Sequence, residues 1–129
     1  LSNIKAYKLF AKRVLKNKKK LVGIFNKLKY QRKKVIGYGA TAKSTTILNY
    51  CNINNNYISY FIDTTKEKQK KLTPGTKIPI IKYQKKLLKN VDYIFLGAWN
   101  FKKEIFNKEK RFISRGGKFI LHTPIPKII

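Results

Sequence analysis

From Lys33 onward, short apolar runs alternate with helical patterns, and this alternation constrains the fold more than any other feature of the chain. The apolar runs are KKVIGYG, YISYFID, IPII, VDYIFLGAW and GGKFILH, and the helical patterns between them are ATAKSTTILNYC, KYQKKLLKN and FKKEIFNKEKRFISR. Strands separated by helices imply right-handed crossovers and a parallel sheet with helices on both faces. The sequence therefore predicts a Rossmann-like α/β domain with a mainly parallel sheet of about five strands.

The same pattern predicts the core and the first boundaries. Strands covered on both faces are apolar at every position, so the expected buried set is Phe61, Ile62, Ile94, Phe95, Phe119 and Ile120. The first strand is expected near 34 to 37, and the next helix near residue 40. Between Asp63 and Ile78 the sequence has no apolar period and contains the turn signal Pro74-Gly75. We therefore expect a loop at or close to the carboxyl edge of the sheet.

The first 30 residues follow a helical period instead. They predict a long leading helix over residues 1–30, with the Rossmann-like domain over residues 31–129. The expected apolar face, interrupted by Lys18, consists of Ile4, Tyr7, Ala11, Val14, Leu21, Phe25 and Leu28. Leu1 stands where a starting Met would be and leads straight into helical sequence. We therefore expect the chain to be a piece of a longer protein.

Composition limits the classes of function. The 129 residues carry a net charge of +26, which would attract nucleic acid whatever the fold. The positive residues are mostly Lys, however, and they spread over every segment, which favours a compositional bias over a nucleic-acid surface. No signal peptide and no bilayer-length apolar stretch is present. These features predict a cytoplasmic protein without a membrane partner, in which Cys51 is a buried, inert thiol.

The glycine turn after the first predicted strand is the main candidate site. In a parallel sheet the ligand crevice lies at the carboxyl ends of the strands. Gly37 permits the tight turn, Gly39 permits close approach of a ligand, and the N–H groups of residues 40 to 43 would favour an anion. Asp63 lies where a ribose-binding acid would sit, and Lys43 would offset an anion's charge. The alternative is a turn that only packs a helix against a strand.

Two other positions are candidates at strand ends. Trp99 and Asn100 follow FLGA, where they would contact a base or sugar; the alternative is that Trp99 packs under the next helix and Asn100 caps it. His122 ends the last strand, where a structural residue with satisfied hydrogen bonds is expected. No pair of carboxylates, His/Cys cluster or Ser-His-Asp order is available for catalysis. We therefore assign no catalytic residue and no metal ligand.

Five segments, taken in order, resemble the C-terminal domain of the sugar C-methyltransferases, a bacterial family acting on nucleotide-linked deoxysugars. They are IGYGATAKSTTILNYCNI, FID, KQKKLTPGTKIPI, FLGAWNFKKEI and RGGKFILHTPIP, which together cover most of Lys33 to Pro126. The resemblance implies a longer enzyme with a zinc-binding N-terminal domain and a central domain that binds S-adenosylmethionine. No cofactor is then expected in this chain, which would not be catalytic alone.

The resemblance also implies site residues. The family pattern Gly-Tyr-Gly-Ala-x-Ala-Lys, the Pro-Gly-Thr turn and the Trp-Asn pair fall here on Gly37, Tyr38, Gly39, Ala40, Ala42 and Lys43, on Pro74, Gly75 and Thr76, and on Trp99 and Asn100. Two positions depart from the pattern. Thr41 replaces a proline, which should not affect helix initiation, and Lys70 replaces a glycine, which puts the conformation of the loop in question.

Three hypotheses for function follow. In the first, the chain helps to bind and position a nucleotide-linked deoxysugar for methyl transfer from S-adenosylmethionine bound by the rest of the methyltransferase chain. In the second, it is a non-catalytic Rossmann-like module that binds a nucleotide or another protein. In the third, it is a basic nucleic-acid-binding protein, which the scattered lysines make the least favoured.

Overall fold

The computed structural model describes residues 2–129; Leu1, the first residue of the predicted leading helix, lies outside them. The helices are α1 (Ser2–Tyr30), α2 (Ala42–Tyr50), α3 (Lys102–Lys108) and α4 (Lys110–Ser114). The strands are β1 (Val35–Tyr38), β2 (Phe61–Asp63), β3 (Lys71–Leu72), β4 (Pro79–Lys82), β5 (Tyr93–Leu96), β6 (Lys118–Leu121) and β7 (Lys127–Ile128), and two 3₁₀ turns span Lys85–Leu88 and Trp99–Phe101.

The seven strands form one mixed sheet in the order β3-β4-β2-β1-β5-β6-β7. The five central strands are parallel, while β3 and β7 pair antiparallel at the two edges. The parallel strands, taken in chain order, have the 3-2-1-4-5 arrangement of a Rossmann-like sheet. The α/β prediction is confirmed, and the sheet is larger than predicted by its two short edge strands. Strand order reverses between β1 and β5, which makes their carboxyl ends the expected place for a ligand.

Helices cover both faces of the sheet. On one face, α1 and α2 pack against side chains such as Phe61 and Phe95. On the other face, α3 and α4 pack against side chains such as Ile62 and Phe119. Successive strand residues point to opposite faces, so neighbours such as Phe61 and Ile62 enter different halves of the core. All six predicted core residues are buried, which confirms this part of the prediction.

Helix α1 is as long as predicted, but its apolar face is only partly buried. Leu21, Phe25 and Leu28 lie in the core, whereas Ile4 and Tyr7 are 56% and 72% exposed. The expected apolar face is thus buried only toward the C-terminal end of α1. The 29 residues extend roughly 43 Å, and only that end contributes side chains to the core.

Three local predictions need correction. The 64–77 segment is not all loop, because it contains β3, whose exposed side chains follow no apolar period. The pattern KYQKKLLKN forms a 3₁₀ turn and no α-helix. The pattern from Phe101 to Arg115 forms two helices, since Glu109 turns into the core with φ −104° and ψ 36° and separates α3 from α4.

Lys70 occupies a backbone conformation that favours glycine. Its φ is +64°, and its N–H donates to the carbonyl of Ile80 at 2.8 Å, at the start of β3. A side chain at positive φ costs free energy that a glycine does not. Lys70, which replaces the glycine of the family pattern, therefore keeps the left-handed backbone conformation of the loop. This conformation makes the loop less stable than it would be with glycine.

Candidate functional site

A cleft of about 360 Å³ opens at the carboxyl edge of the sheet, at the switch point between β1 and β5. Its floor comes from the ends of β1 and β2, and its far wall comes from the segment after β5 and from α3. The lining residues are Tyr38, Gly39, Thr41, Ile62, Asp63, Thr64, Thr65, Lys68, Tyr83, Ala98, Phe101, Glu104, Ile105 and Lys108. Of the predicted site residues, the structure brings Tyr38, Gly39 and Asp63 together here.

The glycine turn fits its surroundings closely. A Cβ at Gly37 would lie 2.3 Å from the Phe61 ring, and one at Gly39 would lie 2.6 Å from the Cβ of Ala98. Gly39 also has φ +82°, which favours glycine on conformational grounds. Both glycines are therefore required by packing between strands and turn, which is the alternative weighed from the sequence. This packing does not exclude a ligand beside the turn.

Asp63 binds the turn itself. One carboxylate oxygen accepts from the Ala40 N–H at 2.9 Å and the other from the Thr65 N–H at 2.8 Å. Burial would raise the pKa of Asp63, but the N–H groups of Thr65 and Ala40, with the charge of Lys68, lower it below its usual value. Asp63 is thus ionised at neutral pH and occupies the amide group that an anionic ligand at Ala40 would need.

Thr41 starts helix α2 as its N-cap. Its hydroxyl accepts from the Ser44 N–H at 3.2 Å and also lies 3.1 Å from the carbonyl oxygen of Gly97. Helix α2 therefore begins at Ala42, two residues after the predicted start. Substituting threonine for the proline of the family pattern does not prevent helix initiation, as expected, because a side-chain cap satisfies an N–H of the first turn.

The walls of the cleft combine positive charge with aromatic surface. The Lys68 ammonium donates to the Ala40 carbonyl at 3.0 Å, and the Lys108 ammonium lies 3.9 Å from the centre of the Tyr83 ring. Phe101 forms part of the rim and is 56% exposed. Ammonium groups pair with phosphates, and exposed aromatic rings stack on bases or sugars. The carboxylates of Asp63 and Glu104 also line the cleft, so the two lysines offer local contacts to a phosphate within a lining whose formal charges balance.

A buried carboxylate joins the two tyrosines of the cleft. The hydroxyls of Tyr38 and Tyr83 each donate to the same oxygen of Glu109, both at 2.8 Å, and Glu109 is 1% exposed. Burial, and then the adjacent Glu109 carboxylate, raise the pKa of Tyr38 well above its usual value. Both tyrosines therefore remain protonated at physiological pH and hold fixed orientations beneath the cleft.

Lys43, Trp99 and Asn100 lie outside this lining. The Lys43 ammonium sits 4.8 Å from the centre of the Trp99 ring, and Trp99 is 39% exposed. Trp99 and Asn100 line a separate cavity. Asn100 lies within the 3₁₀ turn, and the residues before the turn and before α3 are Ala98 and Phe101, so the alternative in which Asn100 caps the helix is wrong.

Thr76 also lies away from the cleft. It is buried in the Pro-Gly-Thr turn, where its hydroxyl bonds that of Thr73. The Asn49 side chain donates to the Pro74 carbonyl at 2.7 Å, and Gly75 has φ +76°. The turn is thus attached to the C-terminal end of α2, so its position in the structure is that of a structural connection.

His122 is buried without hydrogen bonds. It is 5% exposed, its ring stacks on Phe95 with centroids 5.3 Å apart, and neither ring nitrogen has a partner among residues 2–129. The expectation of a satisfied structural histidine is therefore wrong on the hydrogen bonds. Burial lowers the pKa of His122 to about 4; the charge of Lys43 adds to this shift, and the backbone of Gly97 partly offsets it.

This histidine should make the domain less stable in mild acid. The folded-state pKa of about 4 lies below the unfolded value near 6.5, so the unfolded chain binds more protons between these two values. Stability is then expected to fall by about 2 kcal/mol from pH 7 to pH 4.5. Urea unfolding at several pH values measures this loss, and His122→Phe should remove most of it. A variant that keeps the full slope would assign the effect to other groups.

The glycine turn has no free donor at its tip. The Ala40 N–H is paired with Asp63, and Ala98 fills the space beside Gly39, so an anion cannot bind this amide without displacing the carboxylate. Among residues 2–129 no group of three or more His, Cys, Asp or Glu side chains is placed to hold a metal ion. Cys51 is buried, and burial raises the pKa of its thiol.

Several lining residues were not predicted as site residues: Lys68, Tyr83, Phe101 and Lys108. Lys68 and Lys108 could not be distinguished by sequence from the other lysines of so basic a chain. Phe101, directly after the Trp-Asn pair, was the best available signal, because an aromatic residue that follows a strand end often faces the crevice.

Comparison with known families identifies the domain. The family described as C-methyltransferase C-terminal domain matches residues 1–126 of the chain. This chain belongs to that family. A relative, the C-methyltransferase NovU of Streptomyces niveus, is 40% identical over 97 residues, which is 75% of this chain and 23% of the relative. The C-methyltransferase domain described here thus spans about a quarter of the length of that relative.

Within residues 2–129, no helix combines sufficient length with sufficient apolar character to span a bilayer. Helix α1 is long enough but too rich in lysine.

Proposed function

We propose that this domain binds a nucleotide-linked deoxysugar in the cleft at the carboxyl edge and positions it for methyl transfer. The donor would be S-adenosylmethionine held elsewhere in a longer, cytoplasmic methyltransferase polypeptide. The observation that carries the proposal is the cleft itself: a C-methyltransferase domain has an opening of about 360 Å³, lined by lysine and tyrosine side chains, at the switch point of the sheet. Ligands of Rossmann-like sheets bind at that place.

The lining indicates how such a ligand would lie. Lys68 and Lys108 both line the cleft and would contact the phosphates of such a ligand, while Phe101 at the rim would stack on a ring. The Tyr38 and Tyr83 hydroxyls donate to Glu109, which leaves their oxygens free to accept from a sugar hydroxyl. Of the predicted set, Tyr38, Gly39 and Asp63 would face this ligand, and Lys43, Trp99 and Asn100 would not.

The contribution of this domain to the reaction would be orientation. The carboxylates nearest the ligand have structural partners: Asp63 accepts from the N–H groups of Ala40 and Thr65, and Glu109 is buried beneath the tyrosines. Holding one substrate in a fixed position relative to the other can lower a barrier by several kcal/mol. S-adenosylmethionine supplies the methyl group when bound; the residues of this chain hold the acceptor and exclude water from one side of it.

Calorimetric titration of the chain with a nucleoside diphosphate-sugar, such as UDP-glucose or dTDP-glucose, tests the proposal. Lys108→Ala should weaken binding roughly tenfold, because a charge-assisted contact to phosphate at an exposed position is worth about 1.4 kcal/mol. Lys86→Ala makes the same change in charge at an exposed site that does not line the cleft. It should leave binding unchanged.

Three results would contradict this reading. Equal losses in the Lys108 and Lys86 variants would indicate a nonspecific cationic surface. A loss in Lys43→Ala without one in Lys108→Ala would move the phosphates to the start of α2. Tight binding of S-adenosylmethionine by the isolated chain would place the donor site in this domain.

A further inference from the structure

Two tyrosine hydroxyls of the cleft have their protons committed to the protein. Tyr38 and Tyr83 both line the cleft, and each hydroxyl donates to the same oxygen of Glu109 at 2.8 Å. A phenol hydroxyl has one proton to donate and lone pairs with which to accept. Because both protons are held by Glu109, each phenol oxygen can only accept a hydrogen bond from a ligand.

Glu109 fixes this direction because it is buried and has no proton to give. It is 1% exposed, and an ionised carboxylate only accepts hydrogen bonds. A tyrosine that turned its proton toward the cleft would leave the buried carboxylate with one bond fewer, which costs free energy. Donation to a charged acceptor also polarises the hydroxyl and makes its oxygen a better acceptor for a second donor.

The depth of the cleft indicates which end of a nucleotide-linked sugar reaches the tyrosines. Tyr38 ends β1 at the floor and is 9% exposed, whereas Phe101 at the rim is 56% exposed. An exposed aromatic ring suits stacking with a base, which would place the nucleoside at the rim. The ammonium groups of Lys68 and Lys108 supply donors for the phosphates. The sugar is then the part of the ligand that lies against the tyrosines.

We propose that Glu109, acting through Tyr38 and Tyr83, selects a sugar that presents a hydroxyl to the floor of the cleft and rejects one that presents a carbonyl there. This inference rests on the proposed function. A sugar hydroxyl donates to a phenol oxygen, whereas a carbonyl oxygen would meet the phenol oxygens with no proton between them. Any carbonyl that activates the acceptor carbon therefore points away from the tyrosines. Glu109 is a positioning residue, since it does not touch the sugar.

Calorimetric titration with UDP-glucose and its monofluorinated analogues, in which fluorine replaces one sugar hydroxyl at a time, tests this selection. Fluorine is close to a hydroxyl in size but carries no proton. The analogue fluorinated at the carbon that faces the tyrosines should bind about tenfold more weakly than UDP-glucose, a difference of about 1.4 kcal/mol. The analogue with a ketone at the same carbon should bind at least as weakly.

The variant Glu109→Leu, Tyr38→Phe, Tyr83→Phe separates selection from folding, because it removes the buried carboxylate together with both of its donors. It should bind UDP-glucose and the fluorinated analogue with equal affinity, whereas a merely structural role would weaken both ligands and leave their ratio unchanged. Tyr57→Phe is the matched control, since the Tyr57 hydroxyl donates to Asn26 at 2.9 Å outside the cleft, and it should keep the ratio. If circular dichroism shows that the triple variant does not fold, Tyr83→Phe, which removes a partly buried bond, should narrow the ratio.

The titrations give separate results for this selection and for the cleft assignment. Equal binding of UDP-glucose and all its fluorinated analogues overturns the selection and leaves the proposed function standing, as does a ratio that persists in the triple variant. Tighter binding of the ketone than of UDP-glucose would show that the tyrosines donate, which also overturns it. A loss that appears only when a ribose hydroxyl is fluorinated would put the nucleoside against the tyrosines. If no nucleoside diphosphate-sugar binds the wild type, the proposed function is rejected and this inference with it.

Discussion

Gly97→Ala is expected to lower the free energy of unfolding by at least about 3 kcal/mol. A Cβ at this position would lie 1.9 Å from the carbonyl oxygen of Gly39 and 2.9 Å from the hydroxyl of Ser44. The first contact is with backbone, so the turn after β1 and the end of β5 would have to separate. Urea unfolding followed by circular dichroism measures the loss.

Gly23→Ala is the matched control, since a Cβ at Gly23 meets nothing within 4 Å. In the interior of α1, alanine should stabilise the protein by about 1 kcal/mol through helix propensity. If Gly97→Ala were as stable as the wild type, the two parallel strands could not approach each other as closely as described, and the shape of the cleft would have to change with them.

Glu109→Leu is expected to destabilise the domain by about 3 kcal/mol. The substitution leaves the hydroxyls of Tyr38 and Tyr83 without their acceptor. The Tyr38 bond is buried and the Tyr83 bond is partly buried, and an unpaired buried group costs about 1–3 kcal/mol. The triple variant Glu109→Leu, Tyr38→Phe, Tyr83→Phe should recover most of the loss, because removing both partners of a buried hydrogen bond is nearly neutral. Denaturant unfolding of wild type, single and triple variants decides this.

The unfolding data also separate two explanations for Glu109. If the triple variant were no more stable than Glu109→Leu, the loss would come from side-chain shape at the junction of α3 and α4. In that case the carboxylate would not be what orients the two tyrosines. Tyr38→Phe alone serves as a further control, since it removes one donor and leaves Glu109 with its bond from Tyr83.

Features that repeat along the chain could be predicted from sequence. The alternation of short apolar runs with helical patterns predicted the parallel sheet and its doubly covered core, and the helical period of the first 30 residues predicted the leading helix, because each pattern depends on many residues at once. The edge strands β3 and β7 were missed, since two exposed residues at a sheet edge leave no apolar period. The break at Glu109 was missed because a lone glutamate in a lysine-rich helix has the pattern of a solvent-exposed residue.

The geometry of the candidate site depended on distances that the sequence does not contain. Asp63 was expected to face a ligand hydroxyl, but its carboxylate accepts from the N–H of Ala40. The sequence does not show which amide this side chain reaches, because that depends on how far β2 extends beside the turn. Lys43 was expected beside the turn, but its ammonium lies over the Trp99 ring, outside the lining of the cleft. The sequence could assign residues at the ends of separate strands to the same edge of the sheet. It could not show which of their side chains would lie in the same cleft.

The Asp63 carboxylate acts on the glycine turn as a bound phosphate would in a nucleotide-binding relative of the fold. It supplies negative charge to the N–H of Ala40, next to the start of a helix. The turn therefore has its anion as part of the polypeptide and does not depend on a ligand to become ordered. The same carboxylate also ties the end of β2 to the turn after β1, so the carboxyl edge of the sheet is held in one arrangement by the protein alone.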